Sequence, residues 1–447
     1  MNAPFFTVVA DPGGPAFKRF RSSAGEHLLV VPHSRVFDLP VELAARFDAG
    51  EPELIRLADA LATTAEGEEP LDLVPEVAPQ SVSLNVSSAC NLACTYCFAD
   101  RGSFAGAQVR PMHGDTARAA VDRLFAVADP AQPVTVGFMG GEPFVNRALI
   151  HDVVAYAEAR AAKLGLEVRF SVTTNATLLQ PDDIELLRAR PFAVTVSIDG
   201  AASVHDAQRP LRNGRSSFTA VHRAIAPLLA DPGYARIAAR ATVSRQRLDL
   251  AAAFAAIRAI GFREVGFAPL RSAPAGDALR DEDWSRYLAA LVALARSELA
   301  GAVAGQPITL TNFAVALKQL HHGASAPYPC GAGGGYFSVS TEGRWYACHR
   351  AIGAGEYELG DNGGLDRDKR RRFLQQRHVH AQSDCTACWA RYLCSGGCHQ
   401  EASSRTAASC DFIRGWLEFC LASYCELMAG RPDYFPSLHG LAPETSA

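Results

Sequence analysis

Twelve cysteines, unevenly placed, constrain this 447-residue chain more than any other feature. None precedes Cys90 and none lies between Cys97 and Cys330, while nine fall in the last 118 residues. Inert core cysteines scatter with other small apolar side chains, and disulfides are rare in the cytoplasm, so clustering of this kind reads as metal ligation. Cys90, Cys94 and Cys97 form one set. Three soft thiolates suit an iron–sulfur centre and are one short of the four irons of a cubane, which leaves an iron open to a ligand. A structural zinc site is the alternative, but it wants a fourth protein ligand nearby, and none follows in the loop.

A hydrophobic content of 48% with 20% charged residues is that of an ordinary soluble chain, long enough for two or three domains. The net charge of -4 supplies no positive field for nucleic acid, and the run Lys369–Arg372 reads as solvated helix surface. No apolar run approaches the roughly 20 residues of a membrane span, and the N-terminus lacks a basic segment followed by an apolar core. The expected location is cytoplasmic, with neither nucleic acid nor membrane as partner.

Residues 1–78 read as a small domain with strands at 27–32 and 36–39, helix at 41–47 and 54–61, and an acidic linker at 63–75. From Ser81 short apolar runs alternate with helical stretches: candidate strands at 81–86, 134–138, 167–173, 193–198, 237–242 and 265–268, with helices at 115–126, 148–163, 182–188, 218–229 and 250–260. This is a six-fold βα repeat, too few units for an eight-stranded barrel, so an open parallel partial barrel is predicted, with its chemistry at the strands' C-terminal ends. The predicted divisions are 1–78, 79–290 for the partial barrel, 291–329 as a helical bridge and 330–447 for the remaining cysteines.

Cys90-x3-Cys94-x2-Cys97, with Tyr96 before the last cysteine and directly after the first strand, resembles the signature of the radical S-adenosylmethionine (SAM) superfamily. The resemblance implies a SAM-binding [4Fe–4S] cluster, reductive cleavage of SAM and a 5′-deoxyadenosyl radical that removes a substrate hydrogen. It further implies that Gly140, Gly141, Glu142 and Pro143 hold the methionine amino group and that Arg240 pairs with the methionine carboxylate. Tyr96 and the strand-end residues Thr174, Asn175, Ser197 and Asp199 are further candidate contacts to cofactor or substrate.

Cys330, Cys348, Cys385, Cys388, Cys394, Cys398 and Cys410 are spaced as in the SPASM extension of radical enzymes that modify peptides. This implies two auxiliary [4Fe–4S] clusters, one held by Cys385, Cys388, Cys394 and Cys410, the other by Cys330, Cys348 and Cys398 with an open iron or a non-cysteine ligand such as His399. Three clusters and SAM are thus the expected cofactors. Cys420 and Cys425 fall outside the pattern and read as core. The fold class implied is α/β: a partial (βα)6 TIM-like barrel with an N-terminal winged-helix-like peptide-recognition domain and a C-terminal SPASM iron–sulfur domain.

The stretch Cys97–Phe104 with Met112, and Trp345–Arg350 with Gly353 and Leu359-Gly360, resemble maturases that install thioether crosslinks, such as the ranthipeptide enzymes and the quinohemoprotein amine dehydrogenase maturation protein. A leader-bearing, cysteine-containing peptide or small protein is then the implied substrate, and a flavodoxin or ferredoxin the electron donor. Anaerobic sulfatase maturases are the rival; there an aspartate base usually follows the equivalent of Cys348, where this chain has His349. Other peptide carbon–carbon crosslinking and a non-enzymatic electron carrier are the remaining alternatives. Candidate catalytic side chains are Asp199, His349 and Arg212, the last in a loop with His205 and Arg209 after the fourth barrel strand.

Overall fold

The computed structural model describes residues 7–9, 13–61, 73–74, 77–97, 99, 109–272, 276–323 and 325–435. Residues 98 and 100–104 of the loop after Cys97, and most of the acidic stretch 63–75, lie outside the described residues. The chain forms two compact units, one of residues 75–283 and 330–376, the other of 7–74, 284–329 and 377–447. The N-terminal segment is therefore built into a unit with the C-terminal cysteines.

That segment comprises β1 (Thr7–Val8), β2 (Phe17–Ser22), β3 (Gly25–Val30), β4 (Arg35–Leu39), α1 (Val41–Asp48), α2 (Pro52–Leu61) and β5 (Leu73–Val74). β2, β3 and β4 make an antiparallel meander with β3 in the middle, and β1 pairs with β5. β3 buries Leu28, Leu29 and Val30, as a central strand should. Beside them the buried His27 is held between Ser22 Oγ at 2.7 Å and Asp38 Oδ1 at 3.0 Å.

The other unit is a βα array: β6 (Ser81–Ser87), α3 (Gly114–Val127), β7 (Val134–Gly140), α4 (Arg147–Leu164), β8 (Val168–Thr174), α5 (Pro181–Arg188), β9 (Phe192–Ser197), α6 (Ala202–Gln208), α7 (Phe218–Ala230), β10 (Arg236–Val243), α8 (Leu250–Ile260) and β11 (Glu264–Pro269). The six strands are parallel in sequence order, which is the predicted open (βα)6 arrangement. Side chains alternate across a strand, so the pairing register sorts residues by face. Val82, Leu84, Val136, Phe138, Phe170, Val172, Val194 and Val196 fall on one face and are buried. On the other, polar residues line up: Ser83 with Gly137 and Ser171, Thr173 with Thr195, and Ser197 with Arg240 and Gly266. An apolar face packs under helices, whereas a half-exposed face of hydroxyls and one arginine is a surface for a polar ligand.

After α9 (Asp281–Val303) and α10 (Thr311–His321) come β12 (Tyr336–Val339), β13 (Arg344–Tyr346), β14 (Glu358–Asp361), β15 (Gly364–Leu365) and α11 (Arg367–Arg377). β12 pairs in parallel with β6, and β13 to β15 follow antiparallel, extending the sheet to ten strands. This extension is not predicted from local pattern: its short strands lie among glycines, and its anchor is β6, some 250 residues away, with Ser338 Oγ donating to the Ser83 carbonyl at 3.1 Å. The chain closes with α12 (Ser383–Thr386), α13 (Arg391–Cys394) and α14 (Ala407–Gly430). Phe412, Trp416, Leu417, Cys420, Leu421 and Leu427 bury one side of α14, with Trp284, Tyr287 and Phe313 against its aromatic rings. Cys420 and Cys425 are buried core residues. Among the described residues no helix is long and apolar enough to cross a membrane.

Candidate active site

Cys90, Cys94 and Cys97 occupy the loop leaving the C-terminal end of β6. The loop is held from the segment that ends α6: Ala93 N–H bonds the Pro210 carbonyl at 2.8 Å, Thr95 N–H the Gln208 carbonyl at 2.9 Å, and Arg212 N–H the Asn91 carbonyl at 3.1 Å. Side chains repeat this tie. The Tyr96 hydroxyl donates to Asp199 Oδ2 at 2.6 Å, and Arg209 Nη1 donates to that hydroxyl at 2.5 Å. Asp199 also accepts from Gln208 Nε2 at 3.0 Å and from Thr242 N–H at 3.0 Å, and Ser244 fixes Gln208 at 2.8 Å. Burial pushes the Asp199 carboxyl up while Arg209 and these donors pull it back. Beneath the turn after β9, the fully buried His205 accepts the Asp199 N–H on Nδ1 at 3.3 Å, and burial holds its pKa down at about 3.

At the end of β7 the chain turns through Gly140 at φ 147°, where a Cβ would lie 2.1 Å from the Ser87 carbonyl oxygen; at Gly141 it would lie 2.4 Å from the Ala89 carbonyl oxygen. Only glycine fits both positions. The turn places Glu142, 1% exposed, where Oε1 accepts from Thr174 Oγ1 at 2.6 Å and Phe144 N–H at 3.2 Å, and Oε2 from Asn175 N–H at 2.7 Å. Asn175 Nδ2 reaches Asn91 Oδ1 at 3.0 Å and stands 3.9 Å from Cys90 Sγ. The structure thus brings Glu142, Thr174 and Asn175 together next to the first cysteine. Ser197 and Arg240 lie side by side on the polar sheet face.

Burial raises the Cys90 thiol to about 12 and pushes Cys94 up as well. Buried thiols at these positions stay protonated unless a metal takes the proton's place, and the Leu92 N–H, 3.4 Å from Cys90 Sγ, already points at the sulfur. This donor set fits a cluster. Among the described residues no three His, Cys, Asp or Glu side chains stand close enough to share one ion, and the thiolates of a cubane, each on its own iron, need not do so.

Farther along this unit, Cys330 and Cys348 both bear electrostatically on the Tyr336 phenol, whose pKa is raised chiefly by burial. His349 Nδ1 lies 3.0 Å from that hydroxyl and 3.9 Å from Cys348 Sγ. Burial holds the His349 pKa down at about 4, with help from Arg350 and Arg240.

The second unit carries Cys398 and a four-thiol group. Cys385 on α12, Cys388, Cys394 at the end of α13 and Cys410 in the first turn of α14 are coupled electrostatically, and burial raises Cys394 to about 12. Three successive left-handed residues, Ser395, Gly396 and Gly397, turn the chain just after Cys394. A Thr406–Ser409 capping box starts α14 and so fixes Cys410. Arg405 Nη1 points at Cys385 Sγ from 3.6 Å, and Arg414 bonds Cys388.

Arg405 is a side chain that the sequence reading leaves out, because its segment reads only as exposed loop. Arg209, read with His205 and Arg212 as a loop residue able to meet the peptide or cover the opening, is found bonded to Tyr96.

A parallel βα sheet with a three-thiol loop at its C-terminal edge, a two-glycine turn and a buried glutamate beside it is the architecture of a radical-generating iron–sulfur enzyme. Residues 84–228 match the model of the Radical SAM superfamily. Those residues are a radical SAM domain and the chain is an enzyme; the domain implies a [4Fe–4S] cluster and SAM. It is 25% identical over 370 residues to the serine-type anaerobic sulfatase-maturating enzyme of Klebsiella aerogenes, spanning 80% of this chain and 87% of that protein. To mycofactocin maturase MftC of Mycolicibacterium smegmatis it is 32% identical over 184 residues, 41% of this chain and 42% of that one. In fold it is similar to anSMEcpe with bound AdoMet, at a TM-score of 0.66 and 19% identity over 78% of this chain and 99% of that chain. SuiB of Streptococcus suis, bound to its precursor peptide SuiA, matches at a TM-score of 0.52 and 12% identity over 91% of this chain and 98% of that one.

Proposed function

We propose that this enzyme is a peptide maturase that joins a substrate cysteine sulfur to a carbon of an acceptor residue. The observation that carries the reading is the presence on one chain of a three-thiol loop, a separate four-thiol group and an N-terminal meander with an open edge. Within the described residues β4 pairs only with β3, and Phe37, Val41, Leu57 and Leu61 on β4, α1 and α2 are exposed. An extended leader segment can add to such an edge through backbone hydrogen bonds and seat its side chains on the apolar residues. Relatives named as maturating enzymes, and separately a solved structure of similar fold described with a bound precursor peptide, support a peptide substrate.

In this reading Cys90, Cys94 and Cys97 hold the SAM-binding cluster, and Cys385, Cys388, Cys394 and Cys410 hold an auxiliary one. Cys330, Cys348 and Cys398 are the ligands of a third. When bound, these groups and SAM supply hydrogen abstraction by a 5′-deoxyadenosyl radical and an acceptor for the electron released as sulfur bonds to carbon. The chain's own residues do the positioning. Gly140, Gly141 and Pro143 shape the turn that aims Glu142 at an ammonium group, while Thr174 and Asn175 set the glutamate's orientation. Tyr96 is locked by Asp199 and Arg209, so Asp199, with its oxygens engaged by four neighbours, acts as an anchor of the cysteine loop rather than as a base. Ser197 and Arg240 present a hydroxyl and a cation on the polar face for a carboxylate. His349, paired with Tyr336 beside Cys348, is the residue this reading assigns to proton transfer, held neutral by burial. Arg212 is tied by its backbone to Asn91 in the cysteine loop and is the arginine assigned to the peptide. A flavodoxin or ferredoxin supplies the electrons.

Formylglycine formation is the second reading, favoured by the similarity to a sulfatase-maturating enzyme along most of the chain. Anaerobic mass spectrometry of the reconstituted enzyme with SAM, reductant and cysteine-containing peptide separates the two. A loss of two hydrogens with the cysteine no longer alkylatable is the thioether outcome. 5′-Deoxyadenosine with the cysteine still alkylatable removes the thioether reading for that peptide, and a new aldehyde, formed either from a serine by loss of two hydrogens or from the cysteine with departure of its sulfur, establishes the rival.

A further inference from the structure

Asn85 lies on the polar face of β6 and takes no part in anything described so far. It is 2% exposed, and its Oδ1 has no hydrogen-bond partner among the described residues. A buried amide oxygen is costly to leave without a donor, and such an atom in a native fold calls for a bound group that supplies one. The oxygen also has a definite address. It lies 2.7 Å from where a Cβ at position 140 would stand, so the absence of a side chain at Gly140 is what lets the amide sit against the turn. The neighbouring Ser87 carbonyl is already engaged by Gly141 N–H at 2.8 Å, which leaves Asn85 Oδ1 as the open acceptor on that side. At the other end of the same turn, Glu142 has Oε1 bonded twice and Oε2 bonded by Asn175 N–H, so part of its accepting capacity remains.

An alkylammonium offers three N–H donors and no acceptor, more than one largely engaged carboxylate can satisfy. We infer that Asn85 is a second acceptor, beside Glu142, for an N–H group that docks at the Gly140–Gly141 turn. The inference rests on the SAM-binding reading given above. Two ligands carry the required chemistry: the methionine ammonium of SAM and a backbone N–H of the peptide. The contact with Gly140 makes the ammonium the expected donor.

The test measures SAM affinity of the anaerobically reconstituted enzyme by equilibrium dialysis, for the wild type, Asn85→Leu and Asn85→Asp, with the peptide KM and the melting temperature of the SAM-free protein alongside. Asn85→Leu is expected to weaken SAM binding about tenfold or more, the effect of losing a hydrogen bond to a charged group. Asn85→Asp keeps an acceptor in place and is expected to remain near the wild type. The SAM-free Asn85→Leu protein is expected to melt no lower than wild type, because it has lost a buried group that had no partner. A raised peptide KM with SAM affinity intact assigns the donor to the peptide and keeps Asn85 as its acceptor. Unchanged affinity for both ligands overturns the inference while leaving SAM binding standing, as does a lowered melting temperature with affinity intact. A wild-type enzyme that fails to bind SAM overturns the underlying reading and the inference together. Should Asn85→Leu not fold, Asn85→Ala is read by the same criteria.

Discussion

The cysteine loop after β6 and the four-thiol group around α13 solve the same problem, bringing several thiols together, in opposite ways. The first provides three thiols, and its neighbours are Glu142, Asn175, Tyr96 and Asp199; the guanidinium nearby, Arg209, is itself clasped by Tyr96 at 2.5 Å. The second provides four thiols and turns two arginines toward them, Arg405 at 3.6 Å from Cys385 and Arg414 against Cys388. On the proposed reading, a three-thiol site keeps an iron open and is furnished with acceptors for a ligand, whereas a four-thiol site has no vacancy to furnish. Its two arginines are each partnered by a carboxylate as well, Arg405 by Asp384 at 3.8 Å and Arg414 by Asp411 at 2.5 Å, and they bring part of a positive charge to the sulfurs, which favours the more reduced, more negative state of a cluster. One region is then arranged to bind and the other to hold charge.

Cysteine replacement should break this contrast most strongly. Cys94→Ala is expected to abolish 5′-deoxyadenosine production, whereas Cys388→Ala is expected to lose about four irons per chain yet retain SAM cleavage; iron analysis and chromatography of the nucleoside check both. If both variants cleave SAM equally poorly, the division of roles fails.

Removing Arg209 comes next. Arg209→Ala leaves Asp199 and Tyr96 buried without their cation and is expected to destabilise the apo-protein by about 3 kcal/mol in urea denaturation. Arg405→Ala, near the surface of its unit, should cost less.

His205 gives the first region a pH signature of its own. Its folded pKa is down at about 3, against an unfolded value near 6.5, so the unfolded chain takes up the proton first as pH falls. The stability contribution is complete above pH 6.5 and is lost steadily from there down to about pH 3. Between pH 6.5 and 5 the loss is about 2 kcal/mol, and His205→Asn is expected to remove that slope from a series of denaturation curves.

The smallest effect concerns the arginine shell. Arg405→Gln is expected to shift the four-thiol cluster to a more negative potential by up to about 59 mV, a tenfold change for one electron, with the SAM-binding cluster unmoved. EPR-monitored redox titration reads both centres in one sample, and a shift in both would blur the contrast.

The six βα units were legible because each strand is a short apolar alternation flanked by an amphipathic helix, and predicted strand boundaries fall within about two residues of those observed. Cys90 stands out by the spacing of its cysteines, and Glu142, Thr174 and Asn175 by resemblance to the family's turn and strand-end motifs; that the glutamate bonds the other two beside Cys90 is seen only in the fold. The role of Arg209 was not legible: the loop after the fourth barrel strand suggests a residue that meets the peptide or covers the opening, and only the fold turns it inward to Tyr96. β12 escaped for a related reason. Tyr336–Val339 is four residues among glycines, and its claim to be a strand rests on Ser81–Leu84 across the chain, which no local window contains. The placement of residues 7–74 with the C-terminal cysteines is equally non-local: Arg391 Nη1 reaches back to the Pro15 carbonyl at 2.8 Å and Lys18 lies over Trp389 at 4.6 Å.

That last arrangement has a consequence for synthesis. The β2–β4 meander emerges from the ribosome early, while the residues that cover it, Trp389, Arg391 and the helix bearing Glu418, are translated about 370 positions later. At roughly 5–20 residues per second the nascent meander waits on the order of 20–75 s for its own packing partner. During that interval its open strand edge and apolar side chains are the part of the newborn chain most in need of a chaperone.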